Sequence, residues 1–138
     1  MSENLIFHLA IPTRDIDEAR EFYGKILKCK EYRSSDAWVA YNFFGHQLII
    51  HRNPYYQGHR FANIVDGHSV PVPHFGVILE WDDWHKLAER LKNNNVKFMV
   101  EPQMRASAKG EDHGTMFFLD PTGNAIEIKA YKSKDQIF

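Results

Sequence analysis

Three side chains in this sequence have the types and spacing for metal chemistry. His8 stands in the stretch FHLAIPTRDIDEAREFYGKIL, which starts at Phe7, and His74 in PHFGVILEWDDWHKLAERL, which starts at Pro73. The two stretches share a layout: a histidine, an apolar run, an acidic turn, then an amphipathic helix. The histidines are 66 residues apart, a period that suits a duplicated supersecondary unit. The third residue is Glu127 in AIEIKAY. Alternation along a strand puts Ala125, Glu127 and Lys129 on one face and Ile126 and Ile128 on the other. A carboxylate flanked by core residues on a central strand is costly unless it is paired or bound to a cation. Taken singly, each histidine reads as an ordinary hydrogen-bonded strand residue. Two at equivalent places, with a mid-strand glutamate, point instead to a ligand set that leaves positions open for water and substrate. A metal held there lowers the pKa of bound water or holds a substrate oxygen as a Lewis acid.

The elements that must carry these residues follow from periodicity. Leu5 to Ile11 reads as a short buried strand ended by Pro12 and Thr13. Asp15 is an N-cap, and Ile16, Ala19, Phe22, Tyr23, Ile26 and Leu27 form one stripe, so residues 15–27 are an amphipathic helix. Glu31–Arg33, Ala37–Phe44 and His46–His51 read as strands, with Gly45 as the turn. Residues 53–72 show no clear period and read as a long connection, of the kind that serves as a lid or linker.

The second half restarts with a strand from Pro73 to Trp81. A helix capped by Asp82 or Asp83 follows, striped with Trp84, Leu87, Ala88 and Leu91 and ended by Asn93–Asn95. Val96, Phe98 and Val100 alternate as a strand. Residues 101–114 read as a polar loop, Thr115–Leu119 as a strand, DPTGN (120–124) as a turn and Ala125–Tyr131 as the last strand. The order β-α-β-β-β thus occurs twice. The expectation is an α+β fold of two tandem βαβββ modules in one domain spanning 1–138. Module one covers about 5–52, the connection 53–72 and module two about 73–131.

Composition sets the class. At 138 residues, 43% hydrophobic and 25% charged, the chain has the balance of a globular domain. A formal charge of -1 with no basic run argues against a nucleic-acid partner, which needs clustered Lys and Arg. Cys29 is the single cysteine, so no internal disulfide forms, and a buried bland thiol is expected. Eight histidines against one cysteine mean that metal ligands here are imidazole, carboxylate or amide. No basic segment followed by an apolar core opens the chain, and no apolar run approaches the roughly 18 residues that span a bilayer. The expectation is a cytoplasmic protein with no membrane partner.

The two strand-helix entries and the ending FFLDPTGNAIEIKAY together resemble the vicinal-oxygen-chelate superfamily, which includes glyoxalase I, methylmalonyl-CoA epimerase, extradiol dioxygenases, and fosfomycin- and bleomycin-resistance proteins. The resemblance covers nearly the whole chain, and DPTGN-x-IE is its most specific part. It implies paired βαβββ modules whose mixed sheet curves around a metal cleft. It places one divalent ion (Fe, Zn, Mn, Ni or Co) on His8, His74 and Glu127, and it implies a homodimer. A fourth ligand in some members comes from the last strand of the first half, where Gln47 matches best. His51, four residues on and on the same face, is expected in the pocket wall, and His46 at the surface.

Alternation and aromatic content offer Trp38, Tyr41, Phe43 and Phe75 as pocket walls for a planar or apolar substrate. His59, His68 and His113 read as loop residues in solvent. The resemblance implies a metal-dependent enzyme, dioxygenase-like or isomerase/lyase-like, acting on an oxygen-bearing small molecule. The alternative is a metal-free protein that sequesters a drug or metabolite, as bleomycin-resistance proteins do.

Overall fold

A computed structural model of the chain describes residues 4–58, 61–65, 68–106 and 112–138. The chain divides into two compact units: residues 1–58 with 120–124, and residues 59–119 with 125–138.

In the first unit, β1 (His8–Thr13), β2 (Lys30–Ser34), β3 (Trp38–Phe43) and β4 (His46–Arg52) form a mixed sheet in the order β1-β4-β3-β2. β1 runs parallel to β4 and the other neighbours are antiparallel. Between β1 and β2 lies the expected helix. It begins as α1 (Ile16–Ala19) and continues as a π-helical stretch, Arg20–Ile26. Asp15 caps it by accepting hydrogen bonds from the Asp17 and Glu18 amides, satisfying donors that the first turn leaves open. Its stripe buries Phe22, Tyr23 and Leu27, and the sheet buries Val39, Tyr41, Leu48 and Ile50. Cys29 is buried, as expected.

The turn at 120–124 belongs to this first unit. The carboxylate of Asp120 is buried, and its Oδ1 accepts the amides of Thr122, Gly123 and Asn124 at 3.0, 2.9 and 2.8 Å. Oδ2 accepts the Tyr23 hydroxyl at 2.7 Å and the Asn124 amide at 2.8 Å. Gly123 has φ +101, where a side chain would be strained. Asn124 also donates to the Pro12 carbonyl, and the Thr122 hydroxyl meets that of Thr13. The DPTGN motif is therefore a structural clamp whose buried charge is met by five hydrogen bonds.

The second unit repeats the plan. β7 (Phe75–Leu79), α2 (Trp81–Asn93), β8 (Phe98–Ala106), β9 (Asp112–Leu119) and β10 (Ala125–Tyr131) give a sheet in the order β7-β10-β9-β8, with β7 parallel to β10. Two four-stranded mixed sheets with few helices make an α+β fold, as expected. The α2 stripe of Trp84, Leu87, Ala88 and Leu91 is buried. Its start differs from the expectation. Glu80 is the N-cap without a side-chain bond, and Asp82 and Asp83 lie in the first turn, where they face the positive end of the helix dipole. Asn95, with φ 57, closes the helix as foreseen.

Two segments read as loops carry strands. Within 53–72, β5 (Phe61–Val65) pairs antiparallel with β6 (His68–Val72), and Val70 packs in a buried cluster with Val100 and Phe117. Of the polar stretch 101–114, residues 101–106 belong to β8 and 112–114 to β9, with Arg105 opposite His113 and Ala106 opposite Asp112. Pro102 sits at a register shift on the edge strand β8, one of the few places where a sheet accepts proline. Among the described residues no helix is long and apolar enough to cross a membrane.

Candidate metal centre

His74 immediately precedes β7, and Glu127 lies on β10 level with Gly76. The His74 Nε2 and Glu127 Oε1 atoms are 3.2 Å apart, with side chains 28% and 13% exposed. A side chain at Gly76 would run into the Glu127 backbone carbonyl, so the close approach of these two strands requires glycine there.

Both residues are oriented from behind. His74 Nδ1 lies 2.6 Å from the Pro71 carbonyl oxygen. A carbonyl only accepts, so Nδ1 carries the proton and Nε2 is directed at the carboxylate. The Thr115 hydroxyl donates to Glu127 Oε2 at 2.6 Å, leaving Oε1 toward His74. The His74 ring meets Phe117 edge to face at 4.9 Å.

In this tautomer the free lone pair of Nε2 faces a carboxylate oxygen, an arrangement that needs a positive centre between or beside them. Lys129 Nζ, at 3.9 Å from Oε1, supplies part of that charge. A proton on Nε2 would also serve. So would a divalent cation: two ligand atoms each about 2.0–2.1 Å from one metal lie roughly 2.9–3.4 Å apart for angles between a right angle and the tetrahedral value. The pair at 3.2 Å fits that span. A histidine whose second nitrogen donates to a backbone carbonyl, next to a hydrogen-bonded carboxylate, is the usual environment of metal ligands.

In the first unit His8 is exposed and pairs in register with Gln47 across β1 and β4. Neighbouring strands in register present such pairs on one face. That face carries His8, Ala10 and Pro12 from β1, Gln47, Ile49 and His51 from β4, and Trp38, Ala40 and Asn42 from β3.

The registers of the two halves expose an asymmetry. Glu127 is level with Gly76, two residues beyond His74. In the first half the residue level with Ala10, two beyond His8, is Ile49. The place that repeats Glu127 is thus apolar. Gln47, expected at the fourth ligand position, lies level with His8 itself.

The aromatic pocket residues divide between faces. Trp38 lies opposite His51, on the His8 face. Tyr41 lies on the other face, buried, with its ring 6.0 Å from that of Tyr23 and its hydroxyl 3.5 Å from Glu31 Oε1. Burial, then the Glu31 carboxylate, pushes its phenol up to about 12, so Tyr41 is a neutral core donor and not a pocket base. Phe43, three strand positions from Ala40, is buried on that same helix side. Phe75 is level with the buried Ile126, on the opposite face from Glu127. The three residues share a cause: strand parity separates them from the ligands. His46 is half-buried and its Nδ1 accepts the Phe7 amide at 3.1 Å. His113 is a strand residue of β9 stacked on Tyr131 at 5.5 Å, not a loop residue. His59 lies outside the described residues, and His68 opens β6.

Sequence reasoning missed Pro71 and Thr115, which orient the ligands. Thr115 had a signal: it faces Lys129 across β9 and β10, hence the Glu127 side of the sheet. Among the described residues no three His, Cys, Asp or Glu side chains gather as a metal-binding group; His74 and Glu127 belong to the second unit and His8 to the first.

The Glyoxalase/Bleomycin resistance protein/Dioxygenase superfamily matches the chain over residues 5–128. The crystal structure of a glyoxalase/bleomycin resistance protein/dioxygenase from Alicyclobacillus acidocaldarius is 31% identical, with TM-score 0.79, and covers 98% of this chain and 97% of its own. Two more distant structures share the fold. The fosfomycin resistance protein FosX from Listeria monocytogenes is 15% identical at TM-score 0.72, covering 97% of this chain and 98% of its own. Lactoylglutathione lyase from Agrobacterium tumefaciens is 16% identical at TM-score 0.63, covering 97% of each chain. No curated protein sequence matches the chain significantly.

Proposed function

The chain belongs to the Glyoxalase/Bleomycin resistance protein/Dioxygenase superfamily, and on that premise we propose that it is a divalent-metal-dependent enzyme acting on an oxygen-bearing small molecule. The observation that carries the reading is the His74–Glu127 pair, 3.2 Å apart and held from behind by the Pro71 carbonyl and the Thr115 hydroxyl. His74, Glu127 and His8 hold the ion, which is one of Fe, Zn, Mn, Ni or Co. Gln47, level with His8, is not at the place that repeats Glu127, and solvent or substrate takes the fourth position in its stead. The unit of function is a homodimer, a small molecule is its partner, and the whole of 1–138 acts as one domain.

Bound there, the ion supplies Lewis acidity toward a substrate oxygen. The chain supplies the rest. Thr115 and Pro71 fix the two ligand orientations, so little rearrangement is needed on binding. Trp38 and His51, opposite one another on β3 and β4, form a wall for a planar substrate and a nitrogen that can exchange a proton with it. Histidine and carboxylate ligands suit both oxygen chemistry and isomerase or lyase chemistry.

The test is a reaction screen on protein reconstituted separately with each metal. Oxygen uptake with catechols under Fe(II), or isomerisation or adduct formation with α-oxoaldehydes and epoxides under Zn, Mn, Ni or Co, is the expected result. It is abolished by chelator and by His74→Ala. A small molecule bound unchanged, with equal affinity in chelator and in His74→Ala, marks a sequestering protein and overturns the enzyme reading.

A further inference from the structure

A second feature of the first sheet adjoins the His8 and Gln47 positions. The registers place Lys30, Asn42, Gln47 and His8 in one row across β2, β3, β4 and β1. At the β2–β3 end of that row is an open pocket of about 360 Å³, lined by Ile6, Lys30, Tyr32, Asn42, His46 and Gln47 with the Gly45 backbone. That is within the size range of small-molecule sites.

Lys30 and Asn42 present donors to this pocket. Asn42 Oδ1 accepts the Gly45 amide at 2.7 Å, so the Asn42 NH₂ is the end left for a ligand. His46 is engaged at the pocket's edge, where its Nδ1 accepts the Phe7 amide at 3.1 Å. Lys30 is a pure donor. It makes no ion pair among the described residues, whereas its neighbour Glu31 is taken by Arg20 at 3.0 Å. No carboxylate lines the pocket, so no negative side chain there competes with an anion for Lys30. Arg33 lies 5.7 Å over the Tyr32 ring, adding positive charge at the rim. Ile6 and Tyr32, 70% and 42% exposed, offer apolar surface beside the donors.

We infer that this pocket is an oxyanion subsite: Lys30 and the Asn42 amide take a carboxylate or phosphoryl group, and Ile6 and Tyr32 cover the adjoining carbon chain. The ligand class is a small organic acid. The subsite stands on its own geometry. Only its assignment to the substrate rests on the metal reading, through Gln47, which lines the pocket and is level with His8.

The experiment is an NMR titration of the full ¹⁵N-labelled chain with inorganic phosphate, and separately with acetate, at constant ionic strength. Each is run in chelator and again with Co(II). The expected result is saturable shifts of the Asn42 side-chain amide and the Gly45 and His46 backbone amides in both conditions. Affinity falls by about tenfold or more in Lys30→Met, the loss of one charge-assisted contact, and stays within about twofold in the surface control Lys97→Met. Asn42→Leu repeats the loss from a second position. A stronger response to phosphate than to acetate assigns a phosphoryl ligand, and the reverse a carboxylate. Non-saturable shifts, or shifts unmoved by Lys30→Met, overturn the subsite. Shifts that appear only with Co(II) and ignore Lys30→Met place the anion on the metal. That outcome overturns the subsite and leaves the metal reading intact. Saturable, Lys30-dependent shifts in a chain that binds no Co(II) uphold the subsite and remove the metal reading.

Discussion

The Tyr23 hydroxyl donates to Asp120 Oδ2 at 2.7 Å, joining the helix of the first repeat to a turn 97 residues further along the chain. Both groups are buried, and among the described residues Asp120 is supported by hydrogen bonds from its own turn and from Tyr23. Tyr23→Phe removes one of these and should cost about 1–2 kcal/mol. Asp120→Ala strips the acceptor from three turn amides and from Tyr23 and should cost about 3 kcal/mol or more. Urea unfolding of the two variants checks the order. Equal and negligible losses would show that the turn is not a clamp.

The same contact sets an alkaline limit. Burial first, and then Asp120, raises the Tyr23 phenol well above its usual value, and burial with Glu31 pushes Tyr41 up to about 12. Both folded values lie above the unfolded value of about 10. Their contribution is therefore complete below about pH 10 and is lost as pH rises through the folded values. The unfolding midpoint should fall between about pH 10 and about 12 as these phenols ionise, and the fall should be shallower in Tyr23→Phe. A midpoint flat across that window would contradict the burial of both hydroxyls.

Much of this arrangement is legible in the residues alone. The stripe Ile16, Ala19, Phe22, Tyr23 gives the first helix and its Asp15 cap. The parity of AIEIKAY puts Glu127 on the face away from Ile126 and Ile128, where the structure has it. What parity alone could not supply is register. Gln47 and Ile49 share a face, and only pairing with β1 shows that Ile49 repeats the place of Glu127. Tyr41 and Phe75 were grouped with Trp38 by aromatic character, and strand parity sends them to the helix side. The β5–β6 hairpin had an overlooked signal in Asp66-Gly67 between two strand-length segments. The polarity of 101–114 reads as a loop, and the edge position of β8 lets a polar stretch pair as a strand.

The register argument predicts an asymmetric response to substitution on β4. Gln47→Ala should leave metal affinity within about threefold, since the fourth place is not its own. Ile49→Glu adds a carboxylate at the position that repeats Glu127 and should tighten binding by about tenfold or more. Competition with a chromophoric chelator measures both. A large loss in Gln47→Ala with no gain in Ile49→Glu would return Gln47 to the ligand set.

Thr115 should matter through Glu127 rather than through folding. Thr115→Val keeps the shape of the side chain and removes the 2.6 Å hydrogen bond to Oε2. Loss of such a supporting partner lowers metal affinity by about 10–100-fold, and Thr115→Ser should restore most of it. Calorimetric titration with Zn compares the three proteins. Unchanged affinity in Thr115→Val would mean that Glu127 needs no orientation.

Gly76→Ala tests the close approach of β7 to β10. An added Cβ meets the Glu127 carbonyl, and overpacking of this kind costs about 1–3 kcal/mol or more. The strands must separate, so both the urea midpoint and metal loading should fall together. Loss of stability with full metal affinity would separate the strand contact from the site.

The most direct measurement is the metal content of the wild-type chain and of Glu127→Ala, His74→Ala and His8→Ala, each loaded with Zn or Co, freed of excess ion and analysed for elements. The account predicts about one ion per wild-type chain, consistent with one three-residue set, and loss of most of it in each variant. No bound ion in the wild type, or full occupancy after His74→Ala, would contradict it.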